Sequence, residues 1–135
     1  MQVEVMHRPA NAAARVKLAG GETVTAEAGA MIAMSGDVRI ETTTHKKQSR
    51  GVLKALKRML AGESFFMNHF TAGPGGGEVW LAPVLSGDVM TLAVDTPLIV
   101  QGGSYLASET SVNVDMSWQG FKSLFSGESV FWLKL

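Results

Sequence analysis

Polar and apolar residues alternate along much of this chain, starting with Met1-Gln2-Val3-Glu4-Val5. Alternation with a period of two is the mark of a strand with one buried face. The same pattern recurs at Val16 and Leu18, at Val38 and Ile40, and at Val112, Val114 and Met116. Gly20-Gly21, Ser35-Gly36-Asp37, Ser86-Gly87-Asp88 and Gly102-Gly103 punctuate these runs as turns. Val79-Trp80-Leu81-Ala82 and Pro97–Val100 are apolar at successive positions, which predicts strands buried on both faces. Trp80 and Trp132 fall in such runs and are assigned to the core, while Trp118, beside Gln119-Gly120, is assigned to a partly exposed site. Gly73-Pro74-Gly75-Gly76-Gly77 reads as a hairpin connection between Phe65–Phe70 and Glu78–Ala82. Short strands at close spacing predict a sandwich, barrel or roll.

One segment breaks the alternation. Val52, Leu53, Leu56, Met59 and Leu60 follow the spacing i, i+1, i+4, i+7, i+8, which is one face of an α-helix. Gly62 closes it, with Lys57 and Arg58 in the last turn, where cations suit the helix dipole. The expectation is one short amphipathic helix over about 50–61, with a shorter version at Trp118–Phe125.

The pattern also repeats. Ala13–Ile40 aligns with Gly87–Val114 at an offset of 74 without a gap. Leu18 meets Leu92, Ala19 meets Ala93, Gly29 meets Gly103, Ala33 meets Ala107 and Val38 meets Val112. Further on, Gly62-Glu63-Ser64 meets Gly127-Glu128-Ser129 at an offset of 65, so the first copy carries nine extra residues between Glu41 and Leu56. The reading is a single domain over 1–135 with pseudo-repeats at about 13–66 and 87–131. The duplicated Gly-Glu, at Gly62, Glu63, Gly127 and Glu128, is read as a structural helix-to-strand corner whose carboxylate bonds nearby backbone N–H groups.

Composition sharpens this picture at three points. The chain has no cysteine, which removes disulfides, thiol nucleophiles and iron–sulfur ligation. No signal-like start and no apolar stretch near the ~20 residues of a membrane span is present, so a cytoplasmic location is expected. Net charge is zero, yet Lys46, Lys47, Arg50, Lys54, Lys57 and Arg58 are half of the basic residues, and no acid lies between Glu41 and Glu63. That cluster is the candidate partner surface, for an anionic membrane or an acidic protein. Nucleic acid is disfavoured because the segment carries no aromatic residue for stacking.

Catalytic signatures are sparse. His7, His45 and His69 have no second histidine or carboxylate within two residues, so no metal site is expected. The Gly73–Gly77 loop lacks the Gly-Lys-Ser/Thr of a phosphate loop, and no Gly-x-Ser-x-Gly elbow occurs. The expectation is no enzyme, no cofactor and a binding or scaffold role. A peripheral membrane protein is the first alternative, and a small-molecule-binding or metal-dependent β-helix enzyme the second.

Several stretches together resemble the altered-inheritance-of-mitochondria family: Gly77–Pro83, Gly87-Asp88, Ser104–Ala107, Trp118–Lys122 and Phe125–Glu128. The resemblance implies a TRAP-like fold, a β-sandwich of double-stranded β-helix type with pseudo-repeats. It also implies a homo-oligomer, a trimer. Bacterial members have no established activity, the mitochondrial relative is associated with inner-membrane organisation, and the family supplies no catalytic residue set. Its members continue through further β-structure, so this chain is expected to be an N-terminal portion, truncated at the C-terminus.

Overall fold

Val3 and Val5 alternate with polar neighbours in β1 (Gln2–Met6), the first of ten strands in a computed structural model that describes residues 1–44, 66–115 and 132–135. The others are β2 (Ala13–Leu18), β3 (Thr23–Glu27), β4 (Met31–Met34), β5 (Val38–Thr44), β6 (Phe66–Ala72), β7 (Gly77–Leu81), β8 (Ile99–Gln101), β9 (Ala107–Glu109) and β10 (Trp132–Lys134). The fold is mainly β, as the alternation predicts. The short helix expected over about 50–61 lies outside the described residues, as does its shorter version at Trp118–Phe125.

The strands form three antiparallel layers. The first sheet runs β1-β2-β7-β4, the second β5-β6-β3-β9, and β10 pairs with β8 in the third. Ala14, Val16 and Leu18 of β2 and Val79 and Leu81 of β7 turn one face of the first sheet inward. They pack on Val24, Ala26, Val38, Phe70 and Ala72 of the second sheet. The second sheet is buried on its other face too. There Met67 joins Tyr105, Val114 and Leu133 in a separate cluster, with Val100 and Leu135 at its margin. The Tyr105 hydroxyl donates to the Thr25 carbonyl at 3.3 Å and meets Ser108 Oγ at 2.9 Å, so the ring enters this cluster with its polar end bonded.

The Gly73–Gly77 connection is not a hairpin. β6 and β7 belong to different sheets, and the glycine-rich turn carries the chain from one layer to the next. Gly76 donates to the Gly73 carbonyl at 2.9 Å and takes φ +83, a left-handed value that a side chain disfavours. The Gly73 N–H donates to the Asp37 carbonyl at 2.8 Å, which ties the crossing to the turn before β5. Alternation marks the inward face of β6 and of β7 equally well whether the two strands are neighbours or stand in facing sheets.

Three further expectations change. Trp80 points away from the core and is half-buried, because Val79 and Leu81 on either side take the inward positions. Trp132 is likewise half-buried beside the fully buried Leu133. Pro97–Val100 is not buried on both faces: Ile99 is exposed in β8, which ends its layer. The Val112–Met116 alternation yields a single bridge, with Asp115 and Lys134 exchanging backbone bonds at 2.8 and 2.9 Å. Met116 lies outside the described residues.

Strand pairing follows the sequence offsets. In the second sheet Thr25 faces His69, Ala26 faces Asn68 and Glu27 faces Met67. In the third, Ile99 faces Lys134, Val100 faces Leu133 and Gln101 faces Trp132. Each β8 residue stands 74 positions after its β3 counterpart, and each β10 residue 65 after its β6 counterpart. The Asp115–Lys134 bridge stands in the same relation to the Glu41–His69 pair of β5 and β6.

Candidate interaction surface

Exposed apolar residues stand on two separate strand edges and on one extended segment. β4 bonds to β7 along one side, and β8 to β10 along one side; among the described residues neither has a strand on its other side. Ile32 and Met34 on β4 and Ile99 on β8 are exposed apolar residues. An apolar edge strand with free backbone groups is a template for further pairing.

The segment after β7 adds to this. Val84 and Leu85 follow Pro83 in an exposed loop, with Leu85 at 81% exposure. The chain is then pinned. The Ala12 N–H donates to the Gly87 carbonyl at 3.1 Å, and Arg8 Nε and Nη2 donate to the two Asp88 carboxylate oxygens at 2.8 to 3.2 Å. Asp88 Oδ1 also accepts the Val89 N–H at 2.8 Å, and Val89 is buried in the first core. Beyond Val89, Met90 and Leu92 are exposed. At the offset of 74 they correspond to Val16 and Leu18, which are buried in β2. The difference is in the neighbours: β2 lies between β1 and β7, whereas Val89–Val94 joins no sheet among the described residues.

Electrostatics around these elements are local. The Arg8 guanidinium holds the Asp88 carboxyl below its ordinary range. Arg15 donates to Glu78 Oε2 from Nε at 2.9 Å and from Nη2 at 2.6 Å, and Trp80 Nε1 donates to Glu78 Oε1 at 3.2 Å. Those bonds, Arg15 first, hold Glu78 below the ordinary range. The Arg15 guanidinium carbon sits 5.3 Å from the Trp80 ring centroid, a cation–π distance. This cluster gives the outward tryptophan a hydrogen-bond and a cation partner. Burial pushes the Glu27 carboxyl upward.

His69 lies between Thr25 Oγ1 on Nδ1 and Thr43 Oγ1 on Nε2, both at 2.8 Å. One ring nitrogen of a neutral imidazole donates and the other accepts, and two hydroxyls satisfy either tautomer. His7 stands on a turn at φ 58. Among the described residues no three His, Asp or Glu side chains converge in a way that could hold a metal ion.

The extent of the family match decides the family. The sequence profile described as mitochondrial biogenesis AIM24 matches residues 3–135. The chain belongs to the AIM24 family. A similar solved structure is the crystal structure of a Streptococcus pyogenes protein determined in a structural-genomics programme, at 21% identity and a TM-score of 0.72. The match covers 98% of this chain and 59% of that one, so this chain spans under two thirds of that protein's length. At that identity the likeness speaks for the fold. Comparison with curated proteins found no match.

For this AIM24-family chain, the site residues expected from sequence fall outside the described set. Lys46, Lys47, Arg50, Lys54, Lys57 and Arg58 lie there, as do Gly62, Glu63, Gly127 and Glu128. Among the described residues, no helix is long and apolar enough to cross a membrane. Sequence reasoning missed the open edges of β4 and β8 and the exposed Met90 and Leu92. The repeat itself points the other way: Met90 and Leu92 stand at the positions of Val16 and Leu18, which are buried.

Proposed function

We propose that this domain is a non-catalytic binding or scaffold module that acts as a homo-oligomer in the cytoplasm, with a trimer as the stoichiometry that the family resemblance implies. The observation that carries this reading is the exposed apolar set on unpaired backbone: Ile32 and Met34 on β4, Ile99 on β8, and Met90 and Leu92 beside them in sequence order. Exposed apolar residues on strand edges with free backbone groups mark a contact site. Light scattering after size-exclusion chromatography tests it. A mass that is a constant multiple of 14.4 kDa across a wide concentration range is expected, and a stable monomer overturns the reading.

A second reading is supported by the charge cluster Lys46, Lys47, Arg50, Lys54, Lys57 and Arg58, with no acid between Glu41 and Glu63. In it the same module docks on an anionic membrane surface. Flotation with anionic liposomes checks it. Binding that weakens with salt is expected, and no binding at low salt removes the reading.

A further inference from the structure

β9 stands 74 positions after Ala33–Ser35, the end of β4 and the residue beyond it, and β8 stands 74 positions after Thr25–Glu27 of β3. Within the chain, β9 bonds along the outer edge of β3: Ala107 faces Ala26, Ser108 faces Thr25 and Glu109 faces Val24. The Glu27 N–H donates to the Leu106 carbonyl at 3.0 Å in the same ladder. A strand of the β3 type therefore takes a strand of the β4 type as its neighbour. β8 is of the β3 type, and its corresponding edge is unpaired among the described residues. β4 is the other strand of its type, and its edge away from β7 is likewise unpaired.

The backbone parity agrees. The Ser35 N–H donates to the Glu78 carbonyl at 2.9 Å, so Ser35 is turned toward β7. Alternation then turns the backbone groups of Met34 toward the open edge. Ser108, the counterpart of Met34, turns its groups toward β3 in the same way, two residues on from the bonded Leu106. Within one chain β4 and β8 cannot meet, because they lie in the first and third layers with the second sheet between them.

We propose that β4 of one copy adds to β8 of a second copy as an antiparallel strand, with Ala33 facing Val100, Met34 facing Ile99 and Ser35 facing Leu98. The Gln101 N–H then donates to the Ile32 carbonyl. This rests on the self-association reading and names the surfaces that mediate it. The four-stranded sheet of one copy becomes continuous with the β8–β10 pair of the next, and the exposed Ile32, Met34 and Ile99 lie at the junction. The contact is head-to-tail, so it closes into a ring or propagates according to the rotation between copies.

Cysteine pairing tests the register, since the chain has no cysteine of its own. Ala26 and Ala107 occupy a non-hydrogen-bonded pair, flanked by the bonded Glu27–Leu106 pair. Such pairs have Cα atoms about 4.5 Å apart, within disulfide range. The double variant Ala33→Cys/Val100→Cys is therefore expected to form a reducible ladder of covalent multimers under mild oxidant. Ala33→Cys alone and Val100→Cys alone are expected to give at least tenfold less. If light scattering shows an oligomer but the double variant crosslinks no more than the single ones, the register is overturned and self-association stands. If the protein is monomeric and uncrosslinked, both fall. Met34→Pro, which removes an N–H from the open edge, is expected to give a folded monomer by circular dichroism and light scattering. A folded Met34→Pro that stays fully oligomeric overturns the pairing.

Discussion

Val100 faces Leu133 across the β8–β10 pair in the register in which Ala26 faces Asn68 across β3 and β6. The positions correspond, but the chemistry differs. Asn68 Nδ2 donates to the Ala28 carbonyl at 3.4 Å and its Oδ1 accepts from Thr42 Oγ1 at 2.7 Å, whereas Leu133 is fully buried against Met67, Tyr105 and Val114. The β8–β10 pair is short, and its apolar cluster holds it to the second sheet.

Leu133→Ala should therefore destabilise the domain out of proportion to the length of β10. A buried leucine replaced by alanine costs about 2–5 kcal/mol. Urea unfolding should place the loss in that range. A loss under 0.5 kcal/mol, by the usual scale for surface changes, would show that the second cluster is dispensable.

Gly76 and Gly36 should respond oppositely to alanine. Gly76 has φ +83, and a Cβ there would lie 2.9 Å from the Leu18 carbonyl oxygen. At Gly36 a Cβ would meet nothing within 4 Å. Gly76→Ala should lower stability by at least about 1 kcal/mol, and Gly36→Ala should be neutral or slightly stabilising. Thermal melts of the two variants make the comparison.

The Arg8–Asp88 pair should make stability acid-sensitive. Asp88 has a folded-state pKa below its ordinary value because Arg8 hydrogen-bonds it. The unfolded state then binds the proton more tightly, so this contribution is present above the unfolded pKa of about 3.9 and is lost as pH falls through the folded value. Asp88→Asn should lie below wild type at pH 7 and converge on it near pH 3 in denaturant titrations. The gap should also narrow in high salt, because the pair is exposed.

Glu27 should show the opposite sign. Burial raises its carboxyl pKa, so the folded state binds the proton more tightly than the unfolded one. Its contribution is most favourable below the unfolded value of about 4.3 and declines as pH rises through the folded one. Glu27→Gln should raise the melting temperature at pH 7 by about a degree or two and leave it unchanged near pH 4. A lower melting temperature at pH 7 would mean that the carboxylate has a stabilising partner.

Part of the local structure is legible in the sequence. Val16 and Leu18 in β2, and Val38 and Ile40 in β5, have their inward sides where alternation puts them. The Gly20-Gly21 turn is formed, with Gly21 at φ +80. Apolar character alone assigns Trp80 to the core, but the period of two turns it outward between the inward Val79 and Leu81. A glycine-rich turn such as Gly73–Gly77 is compatible with a hairpin and with a crossing between sheets, so its sequence does not decide which forms. The candidate site was hardly legible at all. Charge composition pointed to Lys46–Arg58, whereas the open edges of β4 and β8 depend on which strands stand beside them.

Sequence alone determined the mainly β class, the family, the inward faces of β2 and β5 and the matched positions at offsets of 74 and 65. Those are local or repetitive properties, written in a period of two and in matched residues. Tertiary structure decided the neighbours: β7 between β2 and β4, β9 on β3, and the exposure of Met90 and Leu92 where Val16 and Leu18 are covered. A side chain's face is set by its own strand, but its backbone partners and its burial are set by residues far along the chain, and the same apolar pattern is core or surface according to what packs against it.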